Sequence, residues 1–302
     1  MLISTQTDKF AARFGDHDAI KLLAQVGFDA LDYSMFSIEN KNNKNNPLFK
    51  DDYREYAQSL RKTADENNIV FNQAHAPFPS YKQDIPEKDN KNNGEYNENI
   101  VYYIVRAMEI TSILGGKIII VHPITLEGES YRTQKEFNMK FYNNLLPYCK
   151  KFNVKIALEN MWGWDDINKK VTPAACSVAH EFADYLGSLD KDWFCACLDT
   201  GHAEMQGTNG VSAVEFIKAL GHDRLHTLHV HDNDKTGDLH NLPFTEKLNW
   251  DEIITALKNI NYSGDFTFEA DNFIAKFPKE LSLSASKLML DVGHYFVGKY
   301  GL

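Results

Sequence analysis

The sequence predicts an α/β fold, a single (β/α)8 TIM barrel that covers residues 1–302 as one domain. Eight short apolar runs typical of strands recur along the chain. Between them lie segments with apolar residues at the three- and four-residue spacing of an amphipathic helix. No linker or shift in composition divides the chain. Strands and helices that alternate in this way are typical of a parallel barrel surrounded by its helices.

The predicted strands are, in chain order, LISTQ, FDALDYSM, IVFNQAHA, KIIIVHP, VKIALEN, FCACLDTG, LHTLHVHD and DFTFEA. The predicted helices cover residues 16–25, 51–67, 95–114, 133–152, 174–187, 211–220, 249–260 and 278–298. Gly27, Gly115, Gly187 and Gly221 fall near helix ends, where a left-handed C-cap favours glycine. Two long loops rich in Asn and Lys, ENKNNKNNPLFKDD and PFPSYKQDIPEKDNKNNGE, follow the second and third strands. In a barrel such loops rise over the C-terminal mouth.

Composition and charge exclude several classes of protein. Hydrophobic residues make up 43% of the chain and charged residues 25%, which is typical of a globular protein with a core. A net charge of -10 disfavours nucleic acid as a partner, because an acidic surface repels a phosphate backbone. The sequence shows no membrane-length apolar run and no signal-peptide pattern, so we expect a cytoplasmic protein without a membrane partner. Four cysteines without C-x-x-C spacing predict reduced, buried thiols, and homo-oligomerisation stays open.

Ligand-type side chains end six of the predicted strands. They are His75, His122, Glu159, Asp199, His231 and Glu269. Any one of them alone would fit a hydrogen-bonded core residue or a helix cap. The C-terminal ends of barrel strands converge at one mouth, so six side chains at corresponding ends favour a shared site. The alternation of side chains along a strand agrees with an inward site, because the small apolar residues Cys195 and Cys197 lie on the same face of their strand as Asp199.

A divalent metal would explain why carboxylates end buried strands, because a buried carboxylate is costly unless it is paired or metal-bound. Two glutamates, an aspartate and a histidine suit Mn²⁺, Zn²⁺ or Mg²⁺. The predicted metal ligands are Glu159, Asp199, His231 and Glu269. The candidates for additional metal or substrate ligands are His75, His122, His202, Asp238 and His240. His229 faces inward one layer deeper, and we expect it to support the ligands through a hydrogen bond.

Several segments at these strand ends resemble one family of proteins. The segments AHAPF, IIIVHP, LEN, LDTGH, HVHDND, DLHNLPF and FTFEAD, in this order, resemble the xylose isomerase-like TIM barrels, and within them the sugar phosphate isomerase/epimerase group. The resemblance covers essentially the whole chain. It implies a metal-dependent isomerase or epimerase of carbohydrate metabolism, acting on a sugar, sugar phosphate or polyol. It also implies that a divalent metal is held by Glu159, Asp199, His231 and Glu269.

The reaction of such enzymes sets requirements that this sequence can meet. Isomerisation removes a proton from the carbon next to a carbonyl, which requires a base and a cation that stabilises the enediolate charge. The resemblance assigns the proton transfer to Glu159 and Glu269, and it implies that His202 polarises the carbonyl or orients the substrate. Trp162 and Trp164 in ENMWGW either stack on the sugar or pack in the core or a lid.

Besides a sugar isomerase or epimerase, the sequence is compatible with two other functions, an AP endonuclease and a sugar-binding protein. The AP endonucleases of the same superfamily hold three zinc ions, and their ligand types also have counterparts here. The first set is His75, His122 and Glu159, the second is Glu159, Asp199, His231 and Glu269, and the third is His202, Asp238 and His240. The net charge of -10 and the scattered basic residues oppose duplex DNA as a substrate. The third function is that of a sugar-binding protein that has lost turnover.

One place in the sequence departs from a particular subgroup of the family. The ketose 3-epimerases carry an acidic residue and an arginine shortly after the histidine of the seventh strand. The corresponding segment here reads DNDKTGD and has no arginine. The resemblance therefore extends to the isomerase/epimerase group as a whole rather than to this subgroup.

Overall fold

The computed structural model describes residues 1–36, 46–83, 93–210 and 212–301. Within these residues, eight parallel strands form one sheet: β1 (Ile3–Gln6), β2 (Ala30–Ser34), β3 (Val70–His75), β4 (Ile118–Ile120), β5 (Lys155–Glu159), β8 (Phe194–Asp199), β9 (Leu225–His229) and β10 (Phe266–Phe268). An antiparallel hairpin, β6 (Gly163–Asp165) and β7 (Lys170–Thr172), follows β5. Strand β10 pairs with β1, and Val230 forms a parallel bridge with Phe268. The sheet closes, so the predicted (β/α)8 fold is confirmed.

The helices are α1 (Asp8–Phe14), α2 (Asp16–Val26), α3 (Tyr53–Glu66), α4 (Asn93–Leu114), α5 (Tyr131–Phe152), α6 (Ala179–Gly187), α7 (Thr200–Glu204), α8 (Ala213–Arg224), α9 (Trp250–Asn259), α10 (Asp271–Ala275) and α11 (Ser282–Tyr300). Two 3-10 turns cover Pro47–Phe49 and Lys279–Leu281 in the described ranges. The longer helices match the predicted ones. Helices α1, α7 and α10 were not predicted, because helices this short do not complete an amphipathic pattern. The predicted cap at Gly27 is confirmed: its φ is 109° and its N–H donates to Leu23 and Ala24.

Apolar side chains separate into two layers according to strand parity. The larger layer lies between the strands and the surrounding helices. A smaller cluster of Ile120, Ala157, Cys195 and Cys197 fills part of the barrel interior. All four cysteines are free and buried, as predicted. The inward parity expected for the strand that ends in Asp199 therefore agrees with the structure.

The two predicted Asn- and Lys-rich loops fall partly outside the described residues. Residues 39–45 of the first loop and 84–92 of the second are not described, and their expected position over the mouth stays a prediction. Within the described residues, no helix is long and apolar enough to span a membrane.

Candidate metal centre

The side chains that end the predicted strands converge at the C-terminal mouth of the barrel, around a pocket of about 380 Å³. His75, Glu159 and Asp199 are the last residues of β3, β5 and β8. Glu269 directly follows β10, and His122 lies shortly beyond β4. Because all these strands are parallel, their carboxyl ends bring the side chains to one edge of the barrel.

The first group of candidate ligands consists of His75, His122 and Glu159. The Nε2 atoms of the two histidines lie 2.9 Å apart, and His122 Nε2 lies 3.0 Å from Glu159 Oε2. His75 Nδ1 lies 2.7 Å from the carbonyl oxygen of Ala76, which favours a proton on Nδ1 and a lone pair on Nε2. Phe78 stacks on His122 with ring centroids 5.1 Å apart. Two imidazole nitrogens and one carboxylate oxygen therefore lie close enough together to bind one cation.

The second group consists of Glu159, Asp199, His229 and Glu269, whose ligand atoms lie within 4.8 Å of one another. His229 Nδ1 lies 2.8 Å from Glu159 Oε1 and 3.0 Å from Glu269 Oε2. Burial opposes ionisation of Glu159, but His229 and hydrogen bonds from His122 hold the pKa of this carboxyl well below its usual range. Burial also opposes ionisation of Glu269, whereas His229 lowers its pKa. Both glutamates are therefore carboxylates at neutral pH.

Two histidines at the end of β9 contact different carboxylates: His229 lies beside Glu159 and Glu269, whereas His231 lies beside Asp199. His231 Nε2 lies 3.0 Å from Asp199 Oδ1 and 3.5 Å from Asp238 Oδ1. Its ring stacks on His240 with centroids 4.4 Å apart. We therefore place His229 in the proposed ligand set and assign His231 to the neighbouring group. Parity alone does not distinguish the two histidines, because residues two apart on a strand share a face.

The third group consists of His202, His231, Asp238 and His240. Asp238 Oδ1 lies 3.0 Å from His240 Nε2, and Asp238 Oδ2 lies 3.4 Å from His202 Nε2. Burial lowers the pKa of His202, but Asp199 and Asp238 outweigh it and raise the pKa to about 10. The candidates for additional ligands named from the sequence thus all lie in the first or third group.

Unpaired buried atoms allow a test of whether a divalent metal fits these side chains. Glu159 Oε2 and Asp238 Oδ1 are buried and make no hydrogen bond of good geometry in the described part of the chain, although they lie 3.0 Å from His122 Nε2 and His240 Nε2 respectively. Buried carboxylate oxygens without a well-formed hydrogen bond are costly and rare, and cations bound in the first and third groups would satisfy them. Imidazole nitrogens together with carboxylate oxygens are the donors that Zn²⁺ and Mn²⁺ accept. The residues present therefore fit a divalent metal.

The two predicted substrate-binding tryptophans have different positions. Trp162 lines the pocket beside His202, with ring centroids 6.4 Å apart. Trp164 lies on β6, is 46% exposed and lines a separate groove along the hairpin. Trp162 therefore lies in the wall of the pocket, whereas Trp164 lies at the surface beside it.

Asp232 organises the loop that carries Asp238 and His240. Its carboxylate accepts hydrogen bonds from the backbone N–H groups of residues 244, 246 and 248, and from the indole N–H of Trp250 at 3.0 Å. Asp234, in the same acidic run, is partly exposed and accepts from the backbone N–H of Thr236. The residue types of this run did not distinguish the carboxylate that holds the loop from those that face the pocket.

Gly201 permits the close approach of His231. A Cβ atom at Gly201 would lie 2.0 Å from Cε1 of His231, so Gly201→Ala forces the ring to move. We expect Gly201→Ala to lower the free energy of unfolding by about 1–3 kcal/mol, as is typical of overpacking. Gly187→Ala is the control, because nothing lies within 4 Å of its Cβ position. Urea denaturation checks this, and equal stability of the two variants would contradict it.

Comparison with known proteins identifies the family. Residues 20–292 match the family model described as xylose isomerase-like TIM barrel. The chain belongs to this family. The crystal structure of a D-tagatose 3-epimerase-like protein superposes on this chain with a TM-score of 0.70. The two sequences are 17% identical, and the superposition covers 99% of each chain. The crystal structure of the IolI protein with a bound zinc atom superposes on this chain with a TM-score of 0.70 over 99% of each chain, at 16% sequence identity.

Two curated relatives align with part of the chain. An uncharacterized protein, y4fM, of Sinorhizobium fredii is 24% identical over 67% of this chain and 62% of its own length. The probable endonuclease 4 of Bacillus licheniformis is 28% identical over 57% of this chain and 55% of its own length. The chain thus spans less than two thirds of either relative.

Proposed function

We propose that the protein is a divalent-metal-dependent sugar isomerase or epimerase that acts on a sugar, sugar phosphate or polyol. The observation that carries this proposal is the pair Glu159 and Glu269, whose carboxylates lie 2.8 Å and 3.0 Å from the same nitrogen of His229. Two ionised carboxylates, from β5 and from the end of β10, thus lie close together, and both line the pocket. One of them can remove a proton from a bound substrate and, once protonated, return it.

The residues around these carboxylates can perform the proton transfer. Glu159 or Glu269 accepts the proton from the carbon next to the substrate carbonyl, and the same carboxyl group, now protonated, returns it to the neighbouring carbon in an isomerisation. In an epimerisation the other glutamate, protonated from solvent, delivers a proton to the opposite face of the same carbon, and the first glutamate releases its proton to solvent. A bound divalent cation would stabilise negative charge on the substrate oxygens. Glu159, Asp199, His229 and Glu269 would hold it. His202, which carries its proton at neutral pH, donates a hydrogen bond to the substrate carbonyl oxygen.

The walls of the pocket suit a small polyhydroxylated molecule. Phe36, Phe78 and Trp162 supply apolar faces, and Lys9 and Asn272 supply donors at the rim. Aromatic faces pack against the C–H faces of sugars while polar groups bind the hydroxyls. Similar folds occur in the D-tagatose 3-epimerase-like protein, which supports the proposed reaction class.

A second candidate function is metal-dependent hydrolysis of a phosphodiester, as in an AP endonuclease. The observation that favours it is the presence of the first and third ligand groups beside the second among the described residues. The alignment with a probable endonuclease 4 also supports it. The net charge of -10 opposes it, since binding a duplex requires neutralisation of several phosphates. A sugar-binding protein without turnover is the remaining alternative.

Solvent deuterium incorporation into a panel of ketoses and ketose phosphates tests the proposed function. We expect deuterium at a single carbon of one substrate class, dependent on added Mn²⁺ or Zn²⁺. A parallel incision assay on duplex DNA with an abasic site tests the second candidate. Incision without sugar exchange would replace the isomerase proposal, and saturable sugar binding without exchange would indicate the silent homologue.

Metal removal should lower the thermal stability of the protein. The ligands come from strands far apart in the chain, so only the folded state assembles them, and the metal therefore stabilises it. At a free concentration one hundred times the Kd the stabilisation is about 2.7 kcal/mol. Calorimetry with EDTA and then with excess zinc measures the shift in Tm. An unchanged Tm under both conditions would argue against the metal centre, and calcium is the control cation because it prefers oxygen ligands.

A further inference from the structure

Asp32 lies directly behind His229 inside the barrel, on β2, and its side chain is fully buried. Asp32 Oδ2 lies 3.0 Å from His229 Nε2 and 2.8 Å from Gln73 Nε2. A carboxylate oxygen only accepts hydrogen bonds, so His229 donates its Nε2 proton to Asp32. The other ring nitrogen, Nδ1, then faces Glu159 and Glu269.

We propose that Asp32 is a positioning residue of the metal centre, which holds His229 as its Nε2–H tautomer and aims Nδ1 at the metal. This inference rests on the metal centre of the proposed function but not on the identity of the substrate. Asp32 itself does not face the pocket, so it acts through His229 alone. A hydrogen bond to the distal nitrogen of a ligating histidine fixes both the tautomer and the ring orientation.

Neighbouring hydrogen bonds determine the direction of the contact between Gln73 and Asp32. Gln73 Oε1 accepts from the hydroxyl groups of Thr227 and Thr267, the latter at 3.3 Å. The Thr267 hydroxyl accepts in turn from Asn72 Nδ2 at 3.2 Å, which leaves its proton for Gln73. The carbonyl end of Gln73 is therefore occupied, and its amide NH₂ group faces Asp32. The network requires an acceptor at Asp32 and a donor at His229 Nε2.

An irregularity in the sheet places Asp32 in this network. The pairing of β2 with β3 shifts register between Leu31 and Asp32, after which Asp32 is the direct partner of Gln73. Residues that are register partners point to the same side of a sheet, so both side chains enter the barrel. Bulges and register shifts commonly re-aim side chains next to active sites.

The unsatisfied second oxygen of Asp32 argues against a purely structural role. Asp32 Oδ1 is buried and has no hydrogen-bond partner in the ranges that the structure describes. A buried carboxylate that is only partly satisfied costs stability, so Asp32 is a poor choice for packing alone. Asp32→Leu removes the acceptor of His229 Nε2 and Gln73 Nε2, so we expect this variant to lose both stability and metal affinity, and the more conservative Asp32→Asn to stay folded.

Zinc affinity, measured by competition with a chromophoric chelator, tests the proposal in variants of Asp32. We expect Asp32→Leu to weaken zinc binding about 10–100-fold. Asp32→Asn, which retains an acceptor oxygen, should recover part of this loss. Asp16→Leu is the control, because Asp16 is a partly buried carboxylate that accepts from Tyr33 and Tyr56, away from the metal groups. Wild-type affinity in a folded Asp32→Leu protein would overturn the proposal.

A second measurement reads the tautomer in the wild-type protein. Nitrogen-15 NMR of the zinc-loaded protein should show His229 with a proton on Nε2 and zinc on Nδ1, with the signal assigned by its loss in His229→Gln. Zinc on Nε2 would overturn the positioning role even if Asp32→Leu fails to fold. Absence of zinc binding by wild type would overturn both this inference and the metal centre. Confirmed positioning without sugar exchange would leave this inference intact and reject only the proposed reaction.

Discussion

Replacement of Glu269 with glutamine is expected to slow deuterium exchange into the substrate by about 10²–10⁴-fold, the usual contribution of a positioned acid or base. The amide has nearly the same shape as the carboxylate and can still accept the hydrogen bond from Gln6, but it cannot take a proton from carbon. Substrate affinity should change little, because the other residues that line the pocket are unchanged. Exchange rates and KM are measured on the metal-loaded variant.

A matched control separates loss of the base from loss of a negative charge on the protein. Glu109→Gln removes a carboxylate that pairs with Arg54 on the outer surface, far from the pocket. We expect this variant to exchange the substrate proton at the wild-type rate. If Glu269→Gln also exchanges at the wild-type rate, Glu269 is not the acid or base of the reaction.

Replacement of Glu159 with alanine is expected to remove more bound metal than replacement of Asp199. Glu159 belongs to both the first and the second ligand groups, whereas Asp199 belongs to the second only. Loss of Glu159 also removes the carboxylate that faces His122 Nε2 at 3.0 Å. We therefore expect metal content to fall in both variants and furthest in Glu159→Ala.

Elemental analysis of dialysed protein measures this order, with circular dichroism to show that each variant is folded. Asp16→Ala serves as the control, because this partly buried carboxylate contacts two tyrosine hydroxyl groups and none of the ligand groups. Equal metal content in wild type, Glu159→Ala and Asp199→Ala would reject the proposed centre. Equal loss in the two variants would indicate that only the second group binds metal.

Local patterns in the sequence were sufficient to predict the barrel and the region of the site. The spacing of apolar residues in a strand or a helix depends only on residues that are close in the chain. The strands and long helices were therefore predicted close to their observed bounds. The parallel barrel then implies that Glu159, Asp199 and Glu269 meet at one mouth, whatever the loops do. For the same reason the short helices α1, α7 and α10 were missed, since they complete too few turns.

Only the tertiary structure decided which inward side chains meet. His229 and His231 lie on the same face of their strand, so the sequence does not distinguish them. The pairing of β8 with β9 shifts register between Ala196 and Cys197, which makes His229 the direct partner of Asp199 and places it beside Glu159. Asp32 carried no recognisable signal, because its partner His229 lies 197 residues away along the chain. Contacts across a closed barrel depend on strand register and stagger, which the order of residues within a single strand does not encode.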